Sequence, residues 1–592
     1  MVDYSAPVGS YAFLFHDVFG VERLTALPGA SDLTRETTEA VLGEAAKLAV
    51  DHFLPLNGSG DREGCRKTKD GVATPSGYKK AYDAFADGGW IGLAADPAYG
   101  GQGLPYALGT AVNELVTATN MALAMVPGLT MGAIAAINAN GSDAQKKFYL
   151  PAMLSGRWTG TMNLTEPQCG TDLGLIRTRA TPNGDGTYTI NGAKIFISAG
   201  DHDLADNIIH LVLARIDGAP AGTAGLSLFI VPKFRLGPDG SNGAPNGVTC
   251  TAVEHKMGIH GNPTCAMAYE NSVGELLGAE GRGLAGMFVM MNEARLGVGV
   301  QGLALSEIAT QNAILYARDR TQGRALSGQS QTGSVADPIR RHADVRRMIY
   351  NGLGFNEAAR AMIVRAALDS DIAHHGPDEE TRRKAGDRLG LLTPIIKGVF
   401  TDRGFQNAVD AQQVFGGHGY IAEWGMEQFV RDSRIAMIYE GTNGIQALDF
   451  IGRKMPADGG RALTAFMTDV MADIARISAD DRLAPMGKAL AATLGAAQKA
   501  AFVLAENGKA NPDDAAAGAL DMLHVAGLVA LGQMWLLITE AALKTPDEPD
   551  SKARLLNAQF FFERILPETR TRVARIMTPS AGLMDFHPML DA

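Results

Sequence analysis

The sequence predicts an α+β protein in which blocks of helices and a block of strands follow one another instead of alternating. Apolar residues recur with helical spacing in stretches such as "TTEAVLGEAAKLAVDHFLPL" (37–56). Short β-branched runs, for example "DNIIHLVLARI" (206–216) and "GLSLFIVPK" (225–233), occupy the region from 160 to 275. Helical spacing returns at residue 282 in a long region rich in Ala and Leu. Such segregated blocks disfavour a Rossmann fold.

Five regions follow from this plan. They are an N-terminal extension over 1–35, a helical domain over 36–158, a strand-rich domain over 159–278, a second helical domain over 279–455 and an additional C-terminal helical domain over 456–592. The segment "KMPADGG" (454–460) predicts a linker before the last of them. A chain of 592 residues has room for three to four domains at about 150 residues each.

Charge and cysteine usage exclude several function classes. The net charge is −11 and no long basic block occurs, which argues against a nucleic-acid surface. The four cysteines form no CxxC pair, so neither a zinc site nor a disulfide framework is indicated. The twelve histidines are scattered without an HExxH pattern, and no metal is expected. Reduced thiols are typical of a cytoplasmic enzyme.

No membrane segment is expected. The first residues carry no basic region and no signal-like apolar core. The most apolar stretches, 121–137 and 525–538, are interrupted by Pro127 or by the polar Gln533. Both are predicted to be buried helices of a helical domain.

One glycine-rich stretch matches a dinucleotide-binding motif but lacks the sequence context that the motif requires. "GRGLAG" (281–286) matches GxGxxG, but the preceding "SVGELLGAE" is a poor strand and Glu307, about twenty residues on, lies in a helical run. A nicotinamide site is therefore disfavoured. No GxSxG elbow and no GxxxxGK[ST] loop occurs.

Four other stretches combine features that suit a ligand, and each also has a purely structural reading. "MNLTEPQCGTDL" (162–173) is a turn rich in hydroxyls, and it could equally be only a capped turn before a strand. "KIFISAG" (194–200) places Phe196 and Ser198 on one face of a strand, which could be an ordinary edge strand. In "ARDRTQGR" (317–324), Arg320 and Gln322 could hold a diphosphate or form a solvated charge cluster.

The fourth stretch runs from 411 to 446. Gly416, Gly417 and Gly419 would let the backbone approach a ligand closely, or form a tight turn between helices. Further on, "MIYEGTNGIQALDF" (437–450) carries the acid Glu440 after apolar residues and Tyr439. A carboxylate in such surroundings is poorly placed to serve as a solubilising charge, although the dipole of the following helix could stabilise it.

Taken together, these stretches resemble the acyl-CoA dehydrogenase family. "LTEPQCGTD", "KIFISAG", "RTQG", "QVFGGHGY" and "IYEGTNGIQ" occur in the family's order across roughly residues 36–455. The resemblance implies an α-helical domain, a middle β-barrel and a four-helix bundle. It also implies FAD bound to the barrel and the bundle of one subunit, with its adenosine end reaching a neighbouring subunit. A homodimer, or a dimer of dimers, follows from this.

By the same resemblance Glu440 is the catalytic base. It would take an α-proton from an acyl-CoA thioester, whose α C–H is a very weak acid, and burial would raise its pKa toward the working pH. The backbone N–H of Glu440 would polarise the thioester carbonyl. A trans-2-enoyl-CoA would form, and an electron-transferring flavoprotein would accept the electrons.

The other site residues carry over motif by motif. The expected cofactor-binding residues are Leu164, Thr165, Thr171, Phe196, Ser198, Arg320, Gln322, Gln413, Gly417 and Thr442. The expected substrate-binding residues are Thr171, Arg295 and Gly441. Phe196 stands where many family members have Trp, and the usual RxQFG has lost its Phe and reads "RTQG". A polar insertion, "RALSGQSQTGSVADP" (324–338), follows that motif.

The opening "YSAPVGSYAFLFHDVFG" (4–20), the length and the extra C-terminal domain resemble a long bacterial branch of the family. That branch includes enzymes that oxidise 3-(methylthio)propanoyl-CoA in dimethylsulfoniopropionate degradation, and this is the expected reaction. The alternatives are a fatty acyl-CoA dehydrogenase of β-oxidation and an acyl-CoA oxidase, and a catalytically silent flavoprotein is a third possibility. The extra domain could cover the FAD cleft or extend the dimer interface.

Overall fold

The structure is a computed structural model that describes residues 2–590 apart from 25, 26, 28, 31, 32, 329–332, 586 and 588. The chain divides into two compact units, Ala40–Gly297 and Met1–Glu39 together with Val298–Ala592. The helices of the N-terminal part are α1 (Val8–Ala12), α2 (Arg35–Leu48), α3 (Leu54–Glu63), α4 (Tyr78–Asp87), α5 (Tyr106–Asn140) and α6 (Asp143–Leu154).

The strands follow, apart from a short hairpin that precedes α4. They are β1 (Arg66–Thr68), β2 (Gly71–Ala73), β3 (Trp158–Asn163), β4 (Arg179–Pro182), β5 (Thr187–Ser198), β6 (Asn207–Ile216), β7 (Leu226–Pro232), β8 (Phe234–Leu236), β9 (Asn242–Pro245), β10 (Val248–Val253) and β11 (Thr264–Leu277).

Helices make up the rest of the chain. They are α7 (Gly283–Asp319), α8 (Ala343–His375), α9 (Glu379–Val414), α10 (Met426–Arg434), α11 (Asn443–Asp449), α12 (Ala457–Ile477), α13 (Ala484–Ala510), α14 (Pro512–Ala542), α15 (Pro549–Phe560), α16 (Glu568–Ile576) and α17 (Ala581–Met584). The predicted order of helices, strands, helices and additional C-terminal helices is confirmed.

The strands of the unit Ala40–Gly297 close into a barrel. β11 pairs with β5, β5 with β4, β4 with β6, β6 with β7, and β7 pairs back to β11. β10 extends the sheet beyond β11, and β3 adds to β6 in parallel. β10 and β3 are therefore the edge strands, and the closed ring surrounds an apolar core that includes Ile190, Val212 and Phe229.

Two buried histidines sit in this barrel unit as neutral rings. The Leu204 N–H donates to His202 Nδ1 over 3.1 Å, so the ring proton is on Nε2, which lies 3.0 Å from Thr159 Oγ1. His210 Nδ1 lies 3.0 Å from the Tyr269 hydroxyl. Burial, with a smaller contribution from the charge of Lys233, lowers the pKa of both His202 and His210 to about 3.

We expect these histidines to make the protein less stable as the pH falls below 6.5. Each binds a proton in the unfolded chain at pH values where its folded form does not. The free energy of unfolding should fall by about 1.4 kcal/mol per pH unit for each histidine. Denaturant unfolding between pH 7 and 5 measures this slope, and His202→Asn should reduce it. An unchanged slope in that variant would contradict the assignment.

The N-terminal segment is attached to the unit that contains Val298–Ala592. Asp3 N donates to Asn312 Oδ1 over 3.0 Å, and Asn312 Nδ2 donates back to Asp3 O over 2.8 Å. The guanidinium carbon of Arg554, on α15, lies 3.9 Å from the centre of the Phe13 ring. The opening segment is therefore packed against the helices of its unit.

Within the described residues, two helices are long and apolar enough to cross a membrane. They are α5 and α14, which contain the apolar stretches noted in the sequence. Most of the apolar part of each is buried inside the protein.

The predicted linker, 454–460, begins at Lys454, the last residue of the π-helix Phe450–Lys454. Asp458, Gly459 and Gly460 have positive φ angles at the start of α12.

Candidate active site

Glu440 lies in a short loop of left-handed backbone. Its φ is 57°, and that of Gly441 is 84°. A non-glycine residue in this conformation costs about 1–2 kcal/mol, so the surrounding structure must impose it. The loop ends at Thr442, the N-cap of α11, whose hydroxyl accepts from Ile445 N over 3.3 Å. Strained backbone at a carboxylate indicates a functional position.

Two buried side chains hold the carbonyls of this loop. Gln446 Nε2 donates to Glu440 O over 2.9 Å, and Lys397 Nζ donates to Gly441 O over 2.7 Å. Lys397 Nζ also donates to Asn443 Oδ1 over 2.8 Å. Both Lys397 and Gln446 are fully buried. With its carbonyls taken by these donors, the loop can hold the partly buried Glu440 in one orientation.

Tyr439 is fixed just before Glu440. Its hydroxyl donates to the side chain of Gln301, and burial raises the pKa of Tyr439 well above its usual value. The tyrosine is therefore neutral at every pH at which the protein would work. The preceding residue, Ile438, is an exposed apolar side chain two residues before Glu440.

The segment that carries Arg320 and Gln322 is a small two-stranded loop. Gln322 N donates to Asp337 O over 3.0 Å, and Ile339 N donates to Arg320 O over 2.8 Å. Asp337 is fully buried, while the side chains of Arg320 and Gln322 are exposed. The polar insertion thus pairs back on the "RTQG" motif, and its residues 329–332 lie outside the described part of the chain.

Gln413 lies in the last turn of α9 and Gly417 lies just beyond the helix, and both are exposed. The chain turns there through the 3₁₀ segment Gly416–Tyr420. An aromatic cluster beneath the turn stacks Tyr316 on Phe415 at 4.1 Å and Trp424 on His418 at 4.5 Å. A side chain added at Gly417 would meet no atom within 4 Å, so this backbone borders open space.

In the barrel unit, the "LTEPQCGTD" turn is tied to β5 by a buried ion pair. Lys194 Nζ donates to Glu166 Oε1 over 2.9 Å and to Leu164 O over 3.0 Å. Ile195 N donates to Thr165 O over 2.9 Å. Leu164 and Thr165 are thus held beside the strand that carries Phe196 and Ser198. Sequence reasoning missed this pair, although a lysine in an apolar strand was its signal.

Phe196 and Ser198 lie at an irregular point of β5. The pairing with β11 shifts between Lys194 and Ile197, and Phe196 has a φ of 58°. Ile197 is buried, while the Phe196 side chain is 60% exposed. A bulge here aims an aromatic ring outward from the barrel. Both side chains are more exposed than that of Ile197 between them. The left-handed backbone at Phe196 interrupts the regular alternation on which the predicted shared face depends.

The expected substrate residues fall in different places. Thr171 is exposed in the turn after the Glu166 bridge, and Gly441 directly follows Glu440. Arg295 is buried on α7, with its guanidinium carbon 5.9 Å from the centre of the Phe288 ring. Two residues further back, desolvation raises the pKa of Glu293 to about 8. Sequence reasoning did not single out Glu293.

Family models match most of the chain. Residues 36–157 match the acyl-CoA dehydrogenase N-terminal domain, 161–272 the middle domain and 281–455 the C-terminal domain. Residues 466–587 match a model described as acetyl-CoA dehydrogenase C-terminal like.

Two relatives extend over nearly the whole sequence. The chain is 42% identical to the 3-methylmercaptopropionyl-CoA dehydrogenase of Ruegeria pomeroyi, covering 98% of this chain and 99% of the relative. It is 33% identical to a broad-specificity linear acyl-CoA dehydrogenase of Mycobacterium tuberculosis, covering 96% of each.

Solved structures share the fold. An acyl-CoA dehydrogenase from Bacillus anthracis, solved with FAD, superposes with a TM-score of 0.76 at 22% identity over 96% of this chain and 91% of that one. The butyryl-CoA dehydrogenase of Megasphaera elsdenii gives 0.56 at 27% identity over 69% of this chain and 97% of that one. The chain therefore belongs to the acyl-CoA dehydrogenase family and has its fold.

Proposed function

We propose that this enzyme oxidises 3-(methylthio)propanoyl-CoA to 3-(methylthio)acryloyl-CoA and passes the electrons to an electron-transferring flavoprotein. The observation that carries the chemistry is the left-handed Glu440–Gly441 loop, with both carbonyls held by buried donors. The substrate is supported by the 42% identity to the 3-methylmercaptopropionyl-CoA dehydrogenase over almost the full length of both chains.

Glu440 acts as the general base. Its carboxylate accepts an α-proton of the thioester, and the adjacent backbone N–H stabilises the negative charge that develops on the thioester oxygen. Because hydrogen bonds hold the carbonyls of Glu440 and Gly441, the carboxylate and the backbone N–H stay in place and need not reorganise during the reaction. The neutral Tyr439 beside it adds no competing charge.

The donor set fits FAD. The exposed Phe196 presents a ring suited to a flat flavin, and the exposed Arg320 and Gln322 present the donors that a diphosphate requires. Open backbone at Gly417 permits close approach of a ligand. When bound, FAD supplies a hydride acceptor for the β-carbon. The residues proposed to hold it are Leu164, Thr165, Thr171, Phe196, Ser198, Arg320, Gln322, Gln413, Gly417 and Thr442.

The proposal has four further parts. Arg320, Gln322, Gln413 and Gly417 serve the FAD of the partner subunit in a homodimer. Thr171, Arg295 and Gly441 serve the acyl-CoA. The domain limits are those of the sequence plan (36–158, 159–278, 279–455 and 456–592), and the enzyme is cytoplasmic.

Anaerobic titration of the yellow protein with a panel of acyl-CoAs tests the function. The panel contains 3-(methylthio)propanoyl-CoA, butanoyl-CoA, octanoyl-CoA and palmitoyl-CoA, and bleaching of the flavin is the readout. We expect the fastest bleaching with 3-(methylthio)propanoyl-CoA. The margin over butanoyl-CoA should be small, since one methylene-sized difference is worth about 1–3 kcal/mol in an apolar pocket. Preference for octanoyl-CoA or palmitoyl-CoA would favour β-oxidation instead.

Two controls separate the remaining alternatives. Oxygen uptake during turnover without an added acceptor would identify an oxidase. A colourless protein that no acyl-CoA affects would contradict the whole proposal.

A further inference from the structure

Helix α14, in the C-terminal helical region, brings a histidine to the helix that supports the Glu440 loop. His524 Nε2 lies 2.8 Å from Asp402 Oδ2 on α9. His524 is 3% exposed, and its Nδ1 has no hydrogen-bond partner among the described residues. A buried imidazole with one nitrogen unsatisfied is costly, so the contact to Asp402 must offset that cost.

From Asp402 a line of hydrogen bonds reaches the base. Asn443 Nδ2 donates to Asp402 Oδ1 over 2.7 Å, and Lys397 Nζ donates to Asn443 Oδ1 over 2.8 Å. Lys397 Nζ then donates to Gly441 O over 2.7 Å, next to Glu440. Asn443 directly follows the cap residue Thr442, so this line fixes both the end of the loop and the start of α11.

Small residues let α14 lie directly against α9. A Cβ at Gly398 would stand 2.5 Å from Leu523 Cδ2, immediately before His524. One turn on, a Cβ at Gly527 would stand 2.7 Å from Val399 Cγ2. The two helices are therefore in close contact on both sides of His524, and the imidazole has little freedom to move away from Asp402.

We propose that His524 is a positioning residue for the reaction, and that the C-terminal region contributes to catalysis through it. The proposal rests on the proposed role of Glu440 as the base. His524 holds the Asp402 carboxylate in the orientation that Asn443 needs, and Asn443 in turn orients Lys397. Without His524, Asp402 can rotate toward water, and the left-handed Glu440–Gly441 backbone loses part of its support. The carboxylate would then be less well aligned with the α-proton.

The test compares His524→Leu with His524→Gln in the FAD-loaded enzyme. The Gln amide can still donate to Asp402, whereas Leu cannot. We expect His524→Leu to lower kcat and the rate of flavin reduction about 10-fold, since misplacement of about 1 Å can cost 100-fold. KM for the best acyl-CoA of the panel should change less than about 2-fold, because no substrate contact is removed. His524→Gln should recover most of the rate.

Gln533→Leu is the matched control. Gln533 is also buried on α14 and donates to a carboxylate, Asp473, over 2.8 Å, but within the described part of the chain it makes no hydrogen bond to the Glu440 loop. The Gln533→Leu variant should have a lower melting temperature and an unchanged kcat. Equal rates for His524→Leu and the unmodified enzyme would overturn the proposal. So would equal losses for His524→Leu and His524→Gln, since packing alone would then explain them.

Asp402→Asn provides a second, shape-preserving test should His524→Leu not fold. It should slow flavin reduction by a similar factor, as should His524→Asn, whose shorter side chain does not reach Asp402. The double variant should be about as slow as either single variant, because both act through one line of contacts. Independent, multiplicative effects would overturn the proposal. Full activity of Glu440→Gln would overturn the proposed function instead, so the two failures are distinguishable.

Discussion

Glu440→Gln is expected to lower the rate of flavin reduction by acyl-CoA about 10³-fold, because a positioned general base contributes 10²–10⁴-fold. Gln matches Glu in size and leaves the contacts of Gln446 and Lys397 to the loop carbonyls unchanged. FAD content and the melting temperature should therefore stay as they are. Stopped-flow bleaching at saturating acyl-CoA measures the rate.

Two further variants make this result specific. Glu440→Asp keeps the carboxylate but shortens its reach by about one methylene, so an intermediate loss is expected. Glu379→Gln removes an exposed acid in the first turn of α9 and should leave the rate unchanged. If Glu440→Gln kept within 10-fold of the normal rate, another group would have to be the base. Glu293, whose pKa is raised to about 8, would then be the next to replace.

Lys194→Met should cause the largest loss of stability. It leaves the Glu166 carboxylate buried without its cation, and breaking a buried pair by removing one partner costs about 3–5 kcal/mol. Lys194 also donates to Leu164 O, so the variant should release the turn proposed to contact FAD and weaken FAD binding. Denaturant unfolding of the FAD-free protein and FAD titration measure the two effects.

The pH dependence of this pair has a defined sign. Burial alone would raise the pKa of Glu166, but the charge of Lys194 and hydrogen bonds from Thr178, Lys194 and Arg177 N lower it to about 2. The stabilisation is therefore present above the unfolded pKa of 4.5 and is lost as the pH falls toward 2. In Lys194→Met, the loss of stability between pH 4.5 and 2 should be smaller.

The double variant Glu166→Gln/Lys194→Met should recover part of the stability, because no unpaired charge remains. Lys47→Met, which removes an exposed lysine beside Glu44, should leave unfolding almost unchanged. A Lys194→Met protein as stable as that control would show that water or a rearranged side chain compensates Glu166.

Local sequence signals were sufficient for the fold class and for locating Glu440. The strand-rich region, including β5, β6 and β7, and the helical regions on either side of it were predicted because each carries its own pattern of apolar residues. The cap at Thr442 is a local feature of the same kind, since it requires only a hydroxyl or amide at the start of a helix. These features depend on residues that are neighbours in the chain.

The buried side chains that support the site could not be predicted from local sequence signals. The left-handed backbone of Glu440 is imposed by Lys397 and Gln446, and Lys397 comes from a different helix. Glu166 and Lys194 are separated by 28 residues, and Asp402 and His524 by 122. Any single charged residue in an apolar run predicts only that a partner exists, not which residue it is.

The sequence by itself thus determined the order of helices and strands, the family motifs and the identity of the proposed base. Only the tertiary structure decided which buried groups hold that base in place, and that one of them, His524, comes from the C-terminal helical region. The physical reason is that periodicity and capping act over one or two turns of chain. Buried polar groups instead must be satisfied by whatever packing brings within about 3 Å.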